Sequence, residues 1–184
     1  MALGTDFSPA LAAAQAGADW ALRDLYLDLQ PAMLRYLVAQ EPDEGEDLAS
    51  DVWVDIGRGI ARFQGDESDF RCWIFTIARR RLVDLRRSRA RRRTQPVPVE
   101  RLAARPDPAE PFRALESGQA LSLLSSLSAE QAEVVLLRVV AELDSNEVAL
   151  VMGKKPGTVR VIQKRALEQL ATLLAAHAEG VVTQ

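Results

Sequence analysis

The amino-acid sequence predicts an all-α protein of two small helical domains joined by a proline-rich linker, the second containing a helix-turn-helix. Alanine, leucine, arginine and glutamate dominate the 184 residues, and aromatic side chains make up only 5%. These abundant residues are strong helix formers. Apolar side chains recur at helical spacing on both sides of residues 94–111, which carry five of the nine prolines. Because proline blocks helix continuation and favours extended chain, that segment should be a linker.

The first 17 residues are expected to form a disordered extension. Their apolar stretch is mostly alanine and is interrupted by Pro9 and Gln15. No basic residue precedes that stretch, so it resembles neither a secretory signal peptide nor a membrane-spanning segment. Chain ends of this kind are commonly poorly ordered.

Three helices are predicted in the first domain. Apolar residues recur at helical spacing between Leu22 and Leu37, with Pro31 marking a break or a kink. A second helix should run from about Glu46 to Ile60, with one apolar stripe. After a polar loop at residues 64–69, a third helix begins near Phe70, and its apolar face thins out as arginines take over. This helix should pack at its start and present a basic surface further along.

The second domain should open with a helix at residues 115–127, followed at Ser128 by a Ser-x-x-Gln capping pattern. Ser145 starts a short helix that Gly153 is well placed to end, and Pro156 suits the first turn of a longer final helix. A short helix, a glycine turn and a longer helix form a helix-turn-helix. The expected organisation is an extension (1–17), a first domain (18–93), a linker (94–111), a second domain (112–176) and a tail (177–184).

The net charge of −3 hides a strong segregation of charge along the chain. Residues 79–93 contain nine arginines and one aspartate, while residues 41–55 are rich in acidic side chains. A whole-chain pI near 5.3 would argue against nucleic acid, but a partner experiences the local field of the surface that it contacts. The basic segment suits a polyanion and the acidic segment suits a basic protein.

The final helix carries polar and basic residues where a recognition helix makes base-edge and phosphate contacts. The residues assigned to this surface are Lys155, Thr158, Arg160, Val161, Lys164 and Arg165, with Lys154 beside them. The alternative interpretation is a solvated basic face on a structural helical hairpin. The turn chemistry before the helix favours DNA binding.

Several motifs together resemble those of extracytoplasmic-function sigma factors of the sigma-70 family. The run Gly-Lys-Lys-Pro-Gly-Thr-Val-Arg that ends at Arg160 resembles the segment that closes the minus-35-reading domain of that family. Leu-Ser-Ser-Leu-Ser-Ala-Glu-Gln, ending at Gln131, matches the same domain. Glu-Asp-Leu at residues 46–48 resembles the helix that grips the polymerase clamp, and Phe-Arg-Cys-Trp-Ile at residues 70–74 resembles the minus-10 segment. The chain departs from the family pattern at Ser50, Cys72 and Lys155.

The resemblance implies a cytoplasmic alternative sigma factor that binds core RNA polymerase, through the beta-prime clamp helices and the beta flap, and promoter DNA. It also implies an anti-sigma partner, with no enzymatic activity, cofactor or membrane insertion. Asp47, Ser50 and Asp51 would bind the polymerase. The minus-10 element would be bound by Gln64, Asp66, Ser68, Arg79, Arg80, Arg86 and Arg87. The residues of the final helix named above would bind the minus-35 element.

Two other classes of protein account for part of the sequence. A helix-turn-helix regulator that acts without being a polymerase subunit would explain the second domain alone. A metal-dependent nuclease would explain acidic beside basic residues, but the acids fall on one amphipathic helix without a converging partner in the sequence. One cysteine, Cys72, and one histidine, His177, cannot build a Cys/His zinc site, and no residue is assigned to metal binding or catalysis.

Overall fold

The computed structural model describes residues 4–93 and 123–181, and within those ranges it contains helices and turns without strands. The predicted linker at residues 94–111 lies outside the described residues, as does most of the helix predicted at residues 115–127. Seven α-helices lie wholly within the described part: α1 (Phe7–Gln15), α2 (Asp19–Gln40), α3 (Gly45–Gly59), α4 (Glu67–Arg93), α5 (Ala129–Val139), α6 (Ser145–Met152) and α7 (Pro156–Val181). Residues 123–125 are also helical. Short 3-10 turns precede α1 (Gly4–Asp6) and follow α3 (Ile60–Arg62).

The expectation of a disordered extension at residues 1–17 is wrong for the part that the structure describes, because α1 is a helix packed on the first domain. Phe7, Leu11 and Ala14 lie one turn apart and are buried. Pro9 falls in the first turn, where backbone N–H groups have no intrahelical partner, so it does not break the helix. The surrounding alanines then favour helix continuation.

The next two helices of the first domain form where they were predicted. Helix α2 continues through Pro31 without a break, and Arg35 donates a hydrogen bond from Nε to the Pro31 carbonyl at 3.1 Å. Helix α3 buries Leu48, Val52 and Ile56 on one stripe, as the spacing predicted. Its opposite face is left to solvent.

Helix α4 begins three residues earlier than predicted, at Glu67, and its first part supplies the centre of the core. Phe70, Ile74, Phe75, Ala78 and Leu82 are essentially fully buried. Trp73 packs in an aromatic cluster with Phe63 and Phe70, with ring centroids 5.2 and 5.6 Å away. The core therefore fixes the first half of α4, and the arginine-rich half follows it.

The second domain is a three-helix unit whose helix ends match the sequence signals. Ser128 and Gln131 form a capping box at the start of α5. Helix α6 begins at Ser145 as predicted, but its N-cap is Asp144, whose carboxylate accepts hydrogen bonds from the backbone of Asn146 and Glu147. These hydrogen bonds lower the pKa of Asp144, and the one from the Glu147 N–H has the largest effect.

The turn between α6 and α7 confirms the predicted helix-turn-helix. Gly153 has φ of +63° and ends α6 in the left-handed region, which a residue with a Cβ adopts only at a cost. Helix α7 then starts at Pro156, and its Val159, Ile162 and Ala166 are buried. None of the described helices is long and apolar enough to cross a membrane.

The two domains pack against each other over the described residues. Helix α6 lies against α4, and α5 contacts α2, so one continuous set of buried apolar residues joins the two units. The basic helix of the first domain is thereby partly covered by the helix-turn-helix of the second.

Candidate polymerase and nucleic-acid interfaces

Helix α3 presents a polar face on the side opposite its buried stripe. The side chains assigned to polymerase binding, Asp47, Ser50 and Asp51, are all exposed and lie within about one turn of each other. The Ser50 hydroxyl donates to the Glu46 carbonyl at 3.1 Å, and Asp51 has a long contact of 3.6 Å with Arg81. The structure therefore brings the three predicted residues together on one accessible surface.

The acidic and basic segments that the sequence separates are paired with each other in the fold. Arg81 donates from Nε to Asp55 Oδ2 at 2.7 Å, and this hydrogen bond is the main reason why the pKa of Asp55 is lowered. Arg86 Nε lies 2.7 Å from Glu41 Oε1, and Arg89 binds Glu41 and also Glu44. Much of the charge of the two segments is thus neutralised by ion pairs among α3, α4 and the end of α2. The sequence analysis did not predict this pairing.

The four arginines of α4 that were assigned to minus-10 DNA fall into two classes. Arg80 and Arg87 are exposed, and the Arg87 contact to Asp84 at 3.8 Å is a weak surface pair. Arg86 is held by Glu41, with a second hydrogen bond of 3.2 Å to the Gln40 side chain. Arg79 is half-buried and bound to the second domain. Only two of the four can meet a phosphate without first losing an internal partner.

The loop expected at residues 64–69 is shorter in the structure, because α4 begins at Glu67. Asp66 and Asp69 hold the helix start reciprocally: the Asp69 N–H donates to Asp66 Oδ1 at 2.9 Å, and the Asp66 N–H donates to Asp69 Oδ2 at 3.1 Å. Gly65 has φ of +150° and lies so close to Asp69 that a Cβ there would sit 2.6 Å from its side chain. Gln64, Asp66 and Ser68 are exposed.

Glu133 of α5 is the buried charged residue among those described, at 7% exposure, and it joins the two domains. It accepts a hydrogen bond from Tyr36 Oη at 3.2 Å and another from Arg79 Nε at 2.9 Å. The pKa of Tyr36 is raised well above its usual value, mainly because the hydroxyl is buried and also because the Glu133 carboxylate lies beside it. No sequence pattern indicated this cluster, because Glu133 lies inside a helical run and its partner Tyr36 is 97 residues away.

The start of α6 makes a second contact with the first domain. Glu147 accepts a hydrogen bond from the Ser68 hydroxyl, and its backbone carbonyl lies 3.8 Å from the Cys72 thiol. Burial is the main cause of a raised pKa at Cys72. Further along, Val151 of α6 lines a groove with Arg79 and Arg80. The predicted minus-10 surface is therefore partly covered at both places.

The predicted minus-35 residues of α7, in contrast, remain uncovered. All six are exposed: Lys155, Thr158, Arg160, Val161, Lys164 and Arg165. Lys154, just before them, is instead engaged by Glu130 of α5 at 2.5 Å. The first turns of α7 thus present a basic, polar surface with Val161 half exposed among the cations.

The sequence matches two families over the two helical units. Residues 25–92 match "Sigma-70 region 2", and residues 117–170 match "Sigma-70, region 4". The ECF RNA polymerase sigma factor ShbA of Streptomyces griseus is 34% identical over 168 residues, which cover 83% of this chain and 87% of ShbA. The chain belongs to the ECF sigma factors of the sigma-70 family. It is accordingly an alternative sigma factor, a protein that directs RNA polymerase in transcription initiation.

A second relative is similar in sequence, and two solved structures share the fold. SigD of Mycobacterium tuberculosis is 30% identical over 176 residues, covering 91% of this chain and 83% of SigD. The fold recurs in the sigma factor RpoE of Bartonella quintana, solved with the anti-sigma factor NepR, at a TM-score of 0.66 and 24% identity over 83% of this chain and 96% of that one. It also recurs in CnrH, solved with the cytosolic domain of CnrY, at a TM-score of 0.63 and 23% identity over 91% and 96%.

Proposed function

We propose that this sigma factor binds core RNA polymerase through α3, binds the minus-10 element through α4 and the loop before it, and binds the minus-35 element through α7. The observation that carries this assignment is the exposure of two polar surfaces of opposite charge on one chain. Asp47, Ser50 and Asp51 form the acidic surface, and the basic one is formed by the six residues at the start of α7. The polymerase partner would be the beta-prime clamp helices, with the beta flap as a second contact of the helix-turn-helix domain.

The domain organisation that goes with this proposal differs from the expected one at its beginning. The polymerase and minus-10 domain would extend over 18–93 together with α1, and the minus-35 domain over 112–176 after a linker at 94–111. The packing of Phe7 and Leu11 supports the inclusion of α1 in the first domain.

Binding to the minus-10 element would require the two domains to separate. Arg79 and Ser68, both proposed DNA contacts, are engaged by Glu133 and Glu147 of the second domain. Arg86 would exchange Glu41 for a phosphate, whereas Arg80 and Arg87 are already accessible. Phosphate contacts provide affinity without reading sequence, so bases would be read by the loop and its neighbours. Gln64 and Asp66, with backbone groups around them, suit the capture of an unpaired base.

The remaining parts of the proposal concern partners and location. The protein would act by binding and not by catalysis, would need no cofactor, and would work in the cytoplasm where the polymerase is. An anti-sigma factor is its proposed regulator, supported by the fold relative RpoE, whose structure was solved with the anti-sigma factor NepR.

Reconstituted transcription tests the proposal. The full chain is added to core RNA polymerase on a library of genomic fragments, and transcripts are sequenced from their 5′ ends. We expect a small set of start sites that share two upstream elements and that are absent with core enzyme alone. Start sites without shared elements, or no gain over core enzyme, would contradict the proposed function.

A further inference from the structure

Helix α1 contacts the first domain at the chain segments on both sides of the loop that leads into α4. On its apolar side, Phe7 is 3% exposed and its ring centroid lies 5.5 Å from that of Phe70 in α4. Leu11 and Ala14 are buried in the same core. The helix is therefore anchored by hydrophobic burial close to the loop at residues 63–66.

At the entry of the loop, α1 supplies a cap from a distant part of the chain. Gln15, the last residue of α1, donates from Nε2 to the Ile60 carbonyl at 3.0 Å and to the Phe63 carbonyl at 2.8 Å. The Ile60 carbonyl also accepts a hydrogen bond from the Phe63 N–H at 3.1 Å. Phe63 follows the end of the 3-10 turn, and carbonyls at such ends need partners from elsewhere in the chain. Both protons of a single side-chain amide thus fix the backbone that leads into Gln64.

At the exit of the loop, the turn before α1 makes a matching contact. The Gly4 N–H donates to Glu67 Oε2 at 3.0 Å, and Glu67 is the first residue of α4. Two residues of α1 and its leading turn, Gly4 and Gln15, therefore bracket a loop that lies about 45 to 63 residues further along the chain. Neither contact involves the exposed side chains of Gln64 or Asp66.

We propose that α1 is a positioning element for base capture in the minus-10 region, and that Gln15 is its positioning residue. The inference rests on the proposed function, in which the loop takes an unpaired base of the non-template strand. A loop held in its binding conformation loses less freedom when DNA binds, so preorganisation strengthens affinity without a new contact. Gln15 acts through the backbone of Phe63 and does not itself contact DNA.

The test compares two glutamines whose side chains make partly buried hydrogen bonds. Gln15→Met keeps the length of the side chain and removes both donors. Gln30→Met is the matched control, because Gln30 Oε1 accepts from Trp53 Nε1 at 2.6 Å between α2 and α3, away from the loop. Each variant is assembled into holoenzyme, after measurement of its urea unfolding and of its affinity for core polymerase.

The probe is a fluorescent fork-junction DNA with a single-stranded minus-10 non-template strand, taken from a promoter recovered in the transcription experiment above. Each base of that strand is replaced in turn by an abasic site, and affinity is measured by anisotropy. We expect wild type to lose affinity at one sensitive position. Gln15→Met should bind the intact probe about 3- to 10-fold more weakly and show a smaller penalty at that position. Gln30→Met should match wild type.

Four results would overturn the inference. If Gln15→Met binds the intact probe like wild type, or if both variants weaken it equally, Gln15 has no positioning role. If wild type has a sensitive position and Gln15→Met keeps the full penalty there, the inference fails while base capture stands. If no position is sensitive in wild type, the assignment of the loop fails first and the inference fails with it.

Discussion

The charged side chains of this sigma factor differ in whether the fold already supplies them with a partner. On α4, Arg81 and Arg86 are bound to Asp55 and Glu41 at 2.7 Å, whereas Arg80 is exposed. A cation with a partner must give up that interaction before it can bind a phosphate, so the internal pair subtracts from the gain. The contribution of an arginine of α4 to DNA binding should therefore depend on whether its side chain is exposed and unpaired, and the number of arginines alone is a poor guide.

The acidic face of α3 gives the first prediction. Asp47→Arg combined with Asp51→Arg should weaken binding to core polymerase by more than about a hundredfold. The new arginines would face a basic surface of the polymerase, and like charges placed together at an interface cost several kcal/mol. Both side chains are exposed, so the free energy of unfolding should change little. Affinity is measured with labelled core enzyme. The control is Asp24→Arg with Glu168→Arg, which changes the net charge equally on exposed residues elsewhere. Wild-type affinity of the α3 variant would refute the clamp assignment.

The exposed start of α7 gives the second prediction, which separates base reading from phosphate binding. Arg160→Ala should cost about 1–3 kcal/mol on the preferred promoter and reduce discrimination at one base pair, since arginine can pair with guanine O6 and N7. Lys155→Ala should weaken all sequences alike and reduce the salt dependence of binding by about one charge. Holoenzyme affinity is measured on a series of minus-35 variants at several salt concentrations. An equal loss of affinity for every minus-35 variant with Arg160→Ala would show that this side chain contacts only the DNA backbone.

At the scale of single elements, the helix-turn-helix depends on how its turn is closed. Gly153 and Gly157 lie four residues apart, and a Cβ would meet nothing within 4 Å at either one. They differ in backbone conformation: Gly153 has φ of +63°, while Gly157 lies within α7. Sterics with neighbours therefore cancel in a comparison of the two, and only the local backbone preference remains.

The third prediction uses this pair. Gly153→Ala should destabilise the protein by about 1–2 kcal/mol, because a residue with a Cβ is disfavoured in the left-handed region. Gly157→Ala should stabilise it by up to about 1 kcal/mol through helix propensity. The free energy of unfolding is measured by urea titration. Gly153→Asn should restore part of the loss, since asparagine tolerates this conformation. Equal effects of the two alanine variants would mean that the turn is not held at this residue.

At the scale of the whole molecule, the second domain covers part of the surface that would bind minus-10 DNA. Glu133 binds Tyr36 and Arg79 across the domains. The side chain of Glu147 accepts a hydrogen bond from Ser68, and its backbone carbonyl contacts the Cys72 thiol. The exposed α3 face lies outside these contacts. Polymerase could therefore be bound first, with separation of the domains following.

The fourth prediction tests this arrangement with Cys72, the only cysteine of the chain. Glu133→Ala leaves the Tyr36 hydroxyl and Arg79 without their acceptor at a buried site, which should cost the closed arrangement about 2 kcal/mol or more. Modification of Cys72 by iodoacetamide, followed by mass spectrometry, should then be at least about tenfold faster. Opening would also separate Cys72 from Glu147, whose charge adds to the effect of burial in raising the pKa of the thiol.

The control for this prediction is Glu130→Ala, on the same helix. Its carboxylate pairs with Lys154 inside the second domain, so the rate at Cys72 should remain that of wild type. Addition of core polymerase to wild type should raise the rate as well. An unchanged rate in Glu133→Ala would show that this cluster does not hold the domains together.

Much of the local structure was determined by the sequence itself. The Ser128 capping box, the end of α6 at Gly153 and the start of α7 at Pro156 all follow from short-range signals and were predicted correctly. Hydrophobic spacing likewise predicted α3 and its buried stripe. These features depend on residues within one or two turns, which a sequence displays directly. The motifs that identified the family are of the same kind.

Only the tertiary structure decided which polar groups find partners across the chain. Gln15 caps carbonyls 45 and 48 residues away, and Glu133 meets Tyr36 97 residues away. The order of α1, expected to be disordered, likewise depends on a distant partner, because Phe7 is buried against Phe70. A short alanine-rich helix is marginal alone and gains its stability from packing. Local patterns carry no record of such long-range pairings, which is why the sequence determined the helices and the fold determined which charged surfaces remain free to bind.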